Sequence, residues 1–146
     1  MRIILDTNVF VSATLIKNSN PDKVLQAWRR GEVEFITSRL LLEELEDVLN
    51  RPHLRRLQWL KPDEVDALVA EFKEAAIHAP GVLHLSDVVR DVKDDKIISA
   101  AVEMQVDYIV SGDDDLLVLK EYKGIPVVSP AGFLKILEER IEEDEG

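Results

Sequence analysis

The most constraining feature of the chain is a short apolar segment near its start that ends on three polar residues. Residues 2–5 are apolar apart from the first and include two β-branched isoleucines, and Asp6, Thr7 and Asn8 interrupt the pattern before it resumes at Val9. Such a segment is typical of a buried central strand whose C-terminal tip carries polar chemistry. Ligands bind at that tip in an open parallel sheet. A buried carboxylate at this point needs a positive partner or hydrogen-bond donors, so Asp6 indicates either a metal site or a turn cap.

Length and composition exclude several classes of protein. The 146 residues fit one domain, and 46% of them are apolar. No apolar run approaches the roughly 20 residues that cross a bilayer, and the N-terminus has no signal-peptide pattern, so we expect a cytoplasmic protein without a membrane segment. The absence of cysteine excludes disulfides and thiolate zinc sites, and the scattered His53, His78 and His84 disfavour an imidazole-based metal site.

The formal net charge of −11 opposes binding to nucleic acid, but the charge is unevenly distributed. Residues 1–61 hold 10 Lys/Arg against 8 Asp/Glu, whereas residues 62–146 hold 8 against 21. Residues 51–61 form a basic cluster in which His53 and Trp59 are interleaved. This composition suits contact with a phosphodiester backbone, and the alternative is a solvated helix end. The cationic residues of the cluster are Arg51, Arg55, Arg56 and Lys61.

Short apolar strands alternate with amphipathic helices along the chain. This alternation predicts the α/β class, with a parallel sheet covered by helices on both faces. Strands are predicted at residues 2–5, 34–37, 82–85, 108–110 and 126–128. Helices are predicted at residues 20–31, 38–51, 62–79, 94–104, 116–119 and 130–142.

Acidic residues occur at four separated places that a parallel α/β sandwich brings to one edge. Strand C-termini and helix N-termini share that edge. Carboxylates gathered there repel one another unless a divalent cation holds them, and oxygen ligands favour Mg²⁺ or Mn²⁺ over zinc. The alternative is that these acids cap helices and meet by chance. They are Asp6, Glu43 with Glu44, Asp94 with Asp95, and Asp113 with Asp115.

The same residues resemble the motifs of the PIN domain. Asp6-Thr7-Asn8 follows the first strand, Ser38 precedes Glu44-Leu45 by the family's spacing, and Asp91-x2-Asp94-Asp95-Lys96 leads into an apolar helix. The fourth motif is residues 111–116, Ser-Gly-Asp-Asp-Asp-Leu. The residues within these motifs are similar to those of the bacterial and archaeal branch of VapC-like toxins of toxin–antitoxin pairs. The resemblance covers residues 1 to about 137, and residues 138–146 are expected to form an acidic helix end and tail.

This resemblance implies a three-layer α/β/α sandwich with a five-stranded parallel sheet, and a Mg²⁺- or Mn²⁺-dependent endoribonuclease. It also implies a homodimer and an antitoxin protein that blocks the site. Matched position by position, Asp6, Glu44, Asp95 and Asp113 form the acidic quartet and Asp115 the auxiliary acid. Asp6, Asp95 and Asp113 would hold metal, Glu44 would position the attacking water, and Thr7, Asn8 and Ser111 would orient carboxylates or water.

The chain departs from the family pattern at two positions, neither of which removes an acid. Gln105-Val106 stands where a small residue or glycine usually ends the helix before the fourth strand, and Ser111 replaces the usual Thr.

Three rival classes remain. A receiver-like signalling domain needs an acidic pair after the first strand and a Lys-Pro after the last, but the chain has a single Asp6 and Ser129-Pro130. A haloacid-dehalogenase-type phosphatase needs a second Asp at the position of Asn8. A non-catalytic PIN module would dock a partner through residues such as Trp28, Trp59 or Phe133.

Overall fold

The computed structural model of the chain describes residues 1–83 and 92–145. The strands in these residues are β1 (Arg2–Leu5), β2 (Glu34–Thr37), β3 (Ile77–His78), β4 (Tyr108–Val110), β5 (Glu121–Tyr122) and β6 (Ile125–Val128). The helices are α1 (Thr7–Leu15), α2 (Asn20–Arg29), α3 (Arg39–Leu49), α4 (Pro52–Arg55), α5 (Pro62–Ala75), α6 (Val92–Met104), α7 (Asp114–Leu117) and α8 (Pro130–Glu145).

The strands form one sheet in the order β3-β2-β1-β4-β6-β5. All neighbouring pairs are parallel except β5 with β6, which is an antiparallel hairpin at the sheet edge. The predicted α/β sandwich is therefore confirmed, with six strands in place of five. The extra strand, β5, has two residues, too few to produce the alternation by which a strand is recognised in a sequence.

Alternation along β1 divides the core into two layers. Successive strand side chains point to opposite faces of a sheet. Ile3 and Leu5 accordingly pack with the apolar faces of α1, α2, α3, α5 and α8, whereas Ile4 packs with Ile36, Ile109 and the inner face of α6. Helices thus bury both faces of the sheet, which is why its central strands are apolar throughout.

The third strand lies earlier in the chain than the sequence predicted. Residues 62–79 were expected to form one helix, but α5 ends at Ala75 and the next residues pair with β2, Ile77 opposite Ile36 and His78 opposite Thr37. Val82 and Leu83 are not in a strand, and residues 84–85 of the predicted strand lie outside the described residues. This pairing satisfies the backbone hydrogen-bonding groups at the edge of β2. The helical periodicity of residues 62–79 does not reveal this tertiary requirement.

Two of the three side chains proposed for a docking module belong to the core. Trp28 stacks on Phe35 with ring centroids 5.1 Å apart, and Phe133 is fully buried against Tyr108. Neither is available to bind a partner. Trp59 is different, since 39% of it is exposed.

Helix α6 ends in a motif that normally uses glycine. The Val106 N–H donates to the Ala101 carbonyl and the Gln105 N–H to the Val102 carbonyl, which is the hydrogen-bond pattern of a Schellman cap. Gln105 occupies the position that must be left-handed, with φ of 50°. The side chain therefore imposes steric strain at the point where the PIN motif usually has a small residue.

Gln105→Gly is expected to stabilise the protein by about 0.5–1 kcal/mol, because relief of the left-handed strain exceeds the added entropy of the unfolded chain. Urea unfolding followed by circular dichroism measures this difference. The matched control is Lys23→Gly within α2, where φ is helical and glycine is expected to cost about 1 kcal/mol. Equal destabilisation by both changes would contradict the strain at Gln105.

Within the described part of the chain, no helix has the length and apolar character needed to cross a membrane.

Candidate active site

Asp6 lies at the carboxyl end of β1, at the centre of the sheet. Its N–H donates to the carbonyl of Val110 on the neighbouring strand β4, so β1 and β4 end side by side. Asp6 is also the N-cap of α1, since its carboxylate accepts the Asn8 N–H at 3.4 Å. Only 9% of Asp6 is exposed. The expectation of a polar residue at a buried strand tip is met, and the apolar residues after it continue as a helix.

Ser111 links the ends of β1 and β4. Its hydroxyl donates to Asp6 Oδ2 at 2.8 Å and accepts the Asp113 N–H at 3.0 Å. The side chain is fully buried. Because a hydroxyl has one proton to donate, its donation to Asp6 and acceptance from Asp113 fix both groups in one arrangement.

Asp113 begins the next turn of helix. Its carboxylate accepts the Asp115 N–H at 2.9 Å and caps the four-residue helix α7. Asp113 and Asp115 are both partly buried, whereas Asp114 between them is exposed. The loop therefore directs Asp113 towards the site and Asp114 towards solvent.

Glu44 reaches the same region from α3. Ser38 caps this helix, as predicted, by accepting the Leu41 N–H, and this places Glu44 in the second turn. The buried Thr7 hydroxyl donates to Glu44 Oε2 at 2.9 Å. Thr7 thus orients Glu44, whereas its neighbour Glu43 is exposed and lies 3.9 Å from Arg39. This difference favours Glu44 over Glu43 as the site residue.

Burial raises the pKa of Asp6 above its ordinary value of 3.8, and the nearby carboxylates of Asp113 and Glu44 raise it further. The hydrogen bonds from Ser111 and Asn8 act in the opposite direction and are outweighed. Among the described residues, neither Asp6 nor Asp113 forms an ion pair with Lys, Arg or His. The site therefore holds concentrated negative charge around a poorly solvated carboxylate.

Asp95 lies in the first turn of α6 and is partly buried. Because α6 ends just before β4 begins, its first turn is at the carboxyl edge of the sheet, the edge that holds Asp6. Asp95 is not among the groups that shift the pKa of Asp6. The structure thus brings together Asp6, Glu44 and Asp113, and places Asp95 on the same edge. The preceding motif residue Asp91 lies outside the described residues.

The donor set at this edge suits a hard divalent cation, since it consists of carboxylate and hydroxyl oxygens without sulfur or imidazole. A cation there would offset the repulsion and desolvation that raise the pKa of Asp6. Among residues 1–83 and 95–145, no three His, Asp or Glu side chains are grouped closely enough to hold a metal ion. Asp6, Asp113 and Asp95 would have to turn towards one another to do so.

The predicted basic cluster is only partly available to a ligand. Arg51 pairs with Asp47 at 3.2 Å, and Arg55 pairs with Asp66 at 3.0 Å. Arg56 and Lys61 are exposed and form no ion pair within the described residues. Arg55 therefore links α4 to α5, whereas Arg51 pairs with an acid four residues earlier in the chain, and both guanidinium groups already have a carboxylate partner.

The structure adds one candidate binding residue that no sequence pattern indicates. The Lys17 ammonium lies 5.6 Å from the centroid of the Trp59 ring. Lys17 is 42 positions away from Trp59, in the turn after α1, and no local pattern connects them.

The edge of the sheet therefore carries an acidic group on a three-layer α/β/α scaffold, and comparison with known proteins identifies the class. A family model described as PIN domain matches residues 2–115, so the chain belongs to the PIN domain family. PIN domains are generally nucleases that act on nucleic acid with divalent metal ions. The chain is also similar to the uncharacterized protein MJ1680 of Methanocaldococcus jannaschii. The two are 30% identical over 121 residues, which cover 83% of this chain and 76% of the relative.

Proposed function

We propose that the protein is a Mg²⁺- or Mn²⁺-dependent endoribonuclease that hydrolyses RNA phosphodiester bonds. The observation that carries this proposal is Asp6, a nearly buried carboxylate that faces Glu44 and Asp113 and forms no ion pair within the described residues. Such an arrangement costs folding free energy. That cost is explained when the group serves to bind a cation.

In this function Asp6 and Asp113 would hold the metal, together with Asp95 from α6. A bound Mg²⁺ or Mn²⁺ supplies positive charge that activates water and stabilises the charge developing on the phosphate. Glu44, held by the Thr7 hydroxyl, accepts a proton from the attacking water. Ser111 keeps Asp6 and Asp113 in register, while Asn8 and Asp115 contribute through the backbone N–H groups that bond to these two carboxylates.

The toxin role belongs to the same proposal and is supported by the spelling of the four motifs. A toxin of this kind would act as a homodimer, and a small antitoxin protein would cover the site. Co-expression with the product of the adjacent reading frame, followed by size-exclusion chromatography and an activity assay, tests this part separately. An antitoxin is expected to co-purify and to suppress cleavage.

The test of the nuclease is cleavage of a panel of single-stranded and hairpin RNAs with Mg²⁺, Mn²⁺ or EDTA. We expect cleavage with metal and none with EDTA. Asp113→Asn is expected to lower the rate by more than about 100-fold, because it removes a charged ligand of the metal.

Asp114→Asn provides the matched control. It changes the adjacent acid in the same turn, but Asp114 is exposed, so a rate within about twofold of wild type is expected. Cleavage that persists in EDTA, or that Asp113→Asn leaves intact, would show that this site is not the source of the activity.

A further inference from the structure

A second feature lies at the far end of α1 from the acidic site. The segment after α4 packs against the last turn of α1, where the Trp59 N–H donates to the Thr14 carbonyl at 3.1 Å. The indole Nε1–H donates to the Ala13 carbonyl at 2.9 Å. Two hydrogen bonds therefore fix the orientation of the Trp59 ring, although 39% of the residue is exposed. A tryptophan that is held rigidly and yet accessible loses little conformational entropy when a flat group stacks on it.

The surroundings of this ring are cationic in a chain whose net charge is −11. The Lys17 ammonium lies over the ring, 5.6 Å from its centroid, and residues 51–61 contain no acid. A base that stacks on this face displaces the exposed Lys17 side chain towards the phosphates of the strand. Arg56 and Lys61 are exposed on the same segment. Since Arg51 and Arg55 already have carboxylate partners, Lys17, Arg56 and Lys61 are the cations left for a ligand here.

Two exposed aliphatic residues lie close in sequence to Lys17 and Trp59. Ile16 adjoins Lys17 at the end of α1, and Leu57 precedes Trp59 by two positions; each is 65% exposed. We call the surface formed by Ile16, Lys17, Arg56, Leu57, Trp59 and Lys61 the Trp59 platform. It combines a fixed aromatic ring with cations that form no ion pair within residues 1–83 and 95–145, which is the composition that binds the bases and phosphates of a single strand.

We propose that the Trp59 platform binds an unpaired segment of RNA, with one base stacked on the indole and flanking phosphates against Lys17, Arg56 and Lys61. The choice of RNA rests on the nuclease function proposed above. Thr14, which anchors Trp59, follows Asp6 by eight residues on α1, a rise of about 12 Å. A strand that enters the acidic site could therefore reach the platform within a few nucleotides.

The same geometry disfavours a base-paired ligand. In a duplex the base faces are already stacked on one another, so a side chain on the outside meets only sugar and phosphate. Trp59 would then add nothing to the contacts made by Lys17, Arg56 and Lys61. The platform thus predicts a preference for single-stranded over double-stranded RNA.

The test is binding of a fluorescein-labelled 12-nucleotide single strand, followed by anisotropy in EDTA to prevent cleavage, with a hairpin of the same composition for comparison. Trp59→Ala is expected to weaken single-strand binding about 5- to 100-fold and hairpin binding much less. Trp59→Phe loses the indole hydrogen bond but keeps an aromatic face, so most of the affinity should return.

Lys17→Ala measures the electrostatic contribution to RNA binding without disturbing the fold, because Lys17 is an exposed side chain at a helix end. It should lower the slope of log K against log salt by about 0.7. The matched control is Lys123→Ala, which removes a lysine that lies 5.9 Å from the Tyr122 ring on the β5–β6 hairpin. Lys123→Ala should leave single-strand binding unchanged.

Three results would contradict RNA binding at the Trp59 platform. The first is wild-type affinity in both Trp59→Ala and Lys17→Ala, and the second is an equal loss of affinity for hairpin and single strand in Trp59→Ala. Alternatively, Leu57→Asp could convert a dimer to a monomer in sedimentation without changing RNA affinity, which would make this surface a contact between two copies. If RNA binding depends on Trp59 but the wild-type protein does not cleave RNA in the presence of metal, the proposed nuclease function is wrong and the proposed RNA-binding surface is supported.

Discussion

Asp6→Asn is expected to abolish RNA cleavage and, at the same time, to make the metal-free protein more stable. Most loss-of-function substitutions at buried positions destabilise a protein. Here the opposite sign follows from the burial of Asp6 and from the carboxylates of Glu44 and Asp113, which penalise its charged form. Asn is as good an N-cap as Asp, so the start of α1 is retained. Cleavage should fall by more than about 100-fold.

The pH dependence follows from the direction of the pKa shift. Because the pKa of Asp6 is higher in the folded state, the folded state favours the protonated carboxyl. Its contribution to the free energy of unfolding is complete below the unfolded value, near 3.8, and is lost as the pH rises through the folded pKa. Each unit of the shift corresponds to about 1.4 kcal/mol. The stability gain of Asp6→Asn should therefore be full at neutral pH and shrink on acidification.

Thermal unfolding in EDTA at neutral and acidic pH measures this gain, and repeating it with excess Mn²⁺ measures binding. Wild type should be stabilised by Mn²⁺ in proportion to the logarithm of its concentration, and Asp6→Asn should not respond. Asp22→Asn is the matched control. Asp22 is equally buried, at 9% exposure, but accepts hydrogen bonds from the Asn18 N–H and Gln26 Nε2 within α2 and its cap. Asp22→Asn should therefore not stabilise the protein, and Mn²⁺ should stabilise this variant as it stabilises wild type.

A loss of more than about 1 kcal/mol in Asp6→Asn at neutral pH would instead mean that Asp6 is mainly structural, because an amide has one oxygen and cannot accept both the Asn8 N–H and the Ser111 hydroxyl. A retained Mn²⁺ response would place the metal elsewhere.

Ser111→Ala is expected to weaken both the fold and the site. The change removes the fully buried hydroxyl that donates to Asp6 Oδ2, and it leaves the partly buried Asp113 N–H without its acceptor. An unsatisfied buried donor costs about 1–3 kcal/mol. Carboxylates that have lost their orienting partner should also bind metal and cleave RNA about 10- to 100-fold less well.

Ser111→Thr separates the hydroxyl from the volume of the side chain, since it keeps the group that donates and accepts. We expect it to retain most of the activity, in line with the Thr usual at this position in the resembled motif. Ser111→Ala should cost less stability in the Asp6→Asn background than in wild type, because both changes act on one contact. Full activity in Ser111→Ala would show that this hydroxyl does not position the site.

Much of the molecule is determined by local sequence. The buried strands Arg2–Leu5 and Glu34–Thr37, the cap at Ser38 and the apolar stripes of α2 and α3 follow from periodicity and capping, which act over a few residues. That acids from Asp6, the Glu43–Glu44 pair and the Asp113–Asp115 turn lie at one edge could also be predicted, since a parallel sheet brings strand ends and helix starts together whatever their separation in the chain. The choice of Glu44 over Glu43 came from the resemblance to the PIN motif.

Tertiary structure decided what depends on distant partners. Ile77 and His78 pair with the edge of β2, so α5 ends earlier than its periodicity predicts. Two residues form β5 because they pair with β6 in a hairpin. Asp47 and Asp66 form ion pairs with Arg51 and Arg55 of the basic cluster, and the packing of Trp59 on the end of α1 places it next to Lys17. In each case a side chain or backbone edge was satisfied by a group far away in the sequence, and local pattern carries no information about such partners.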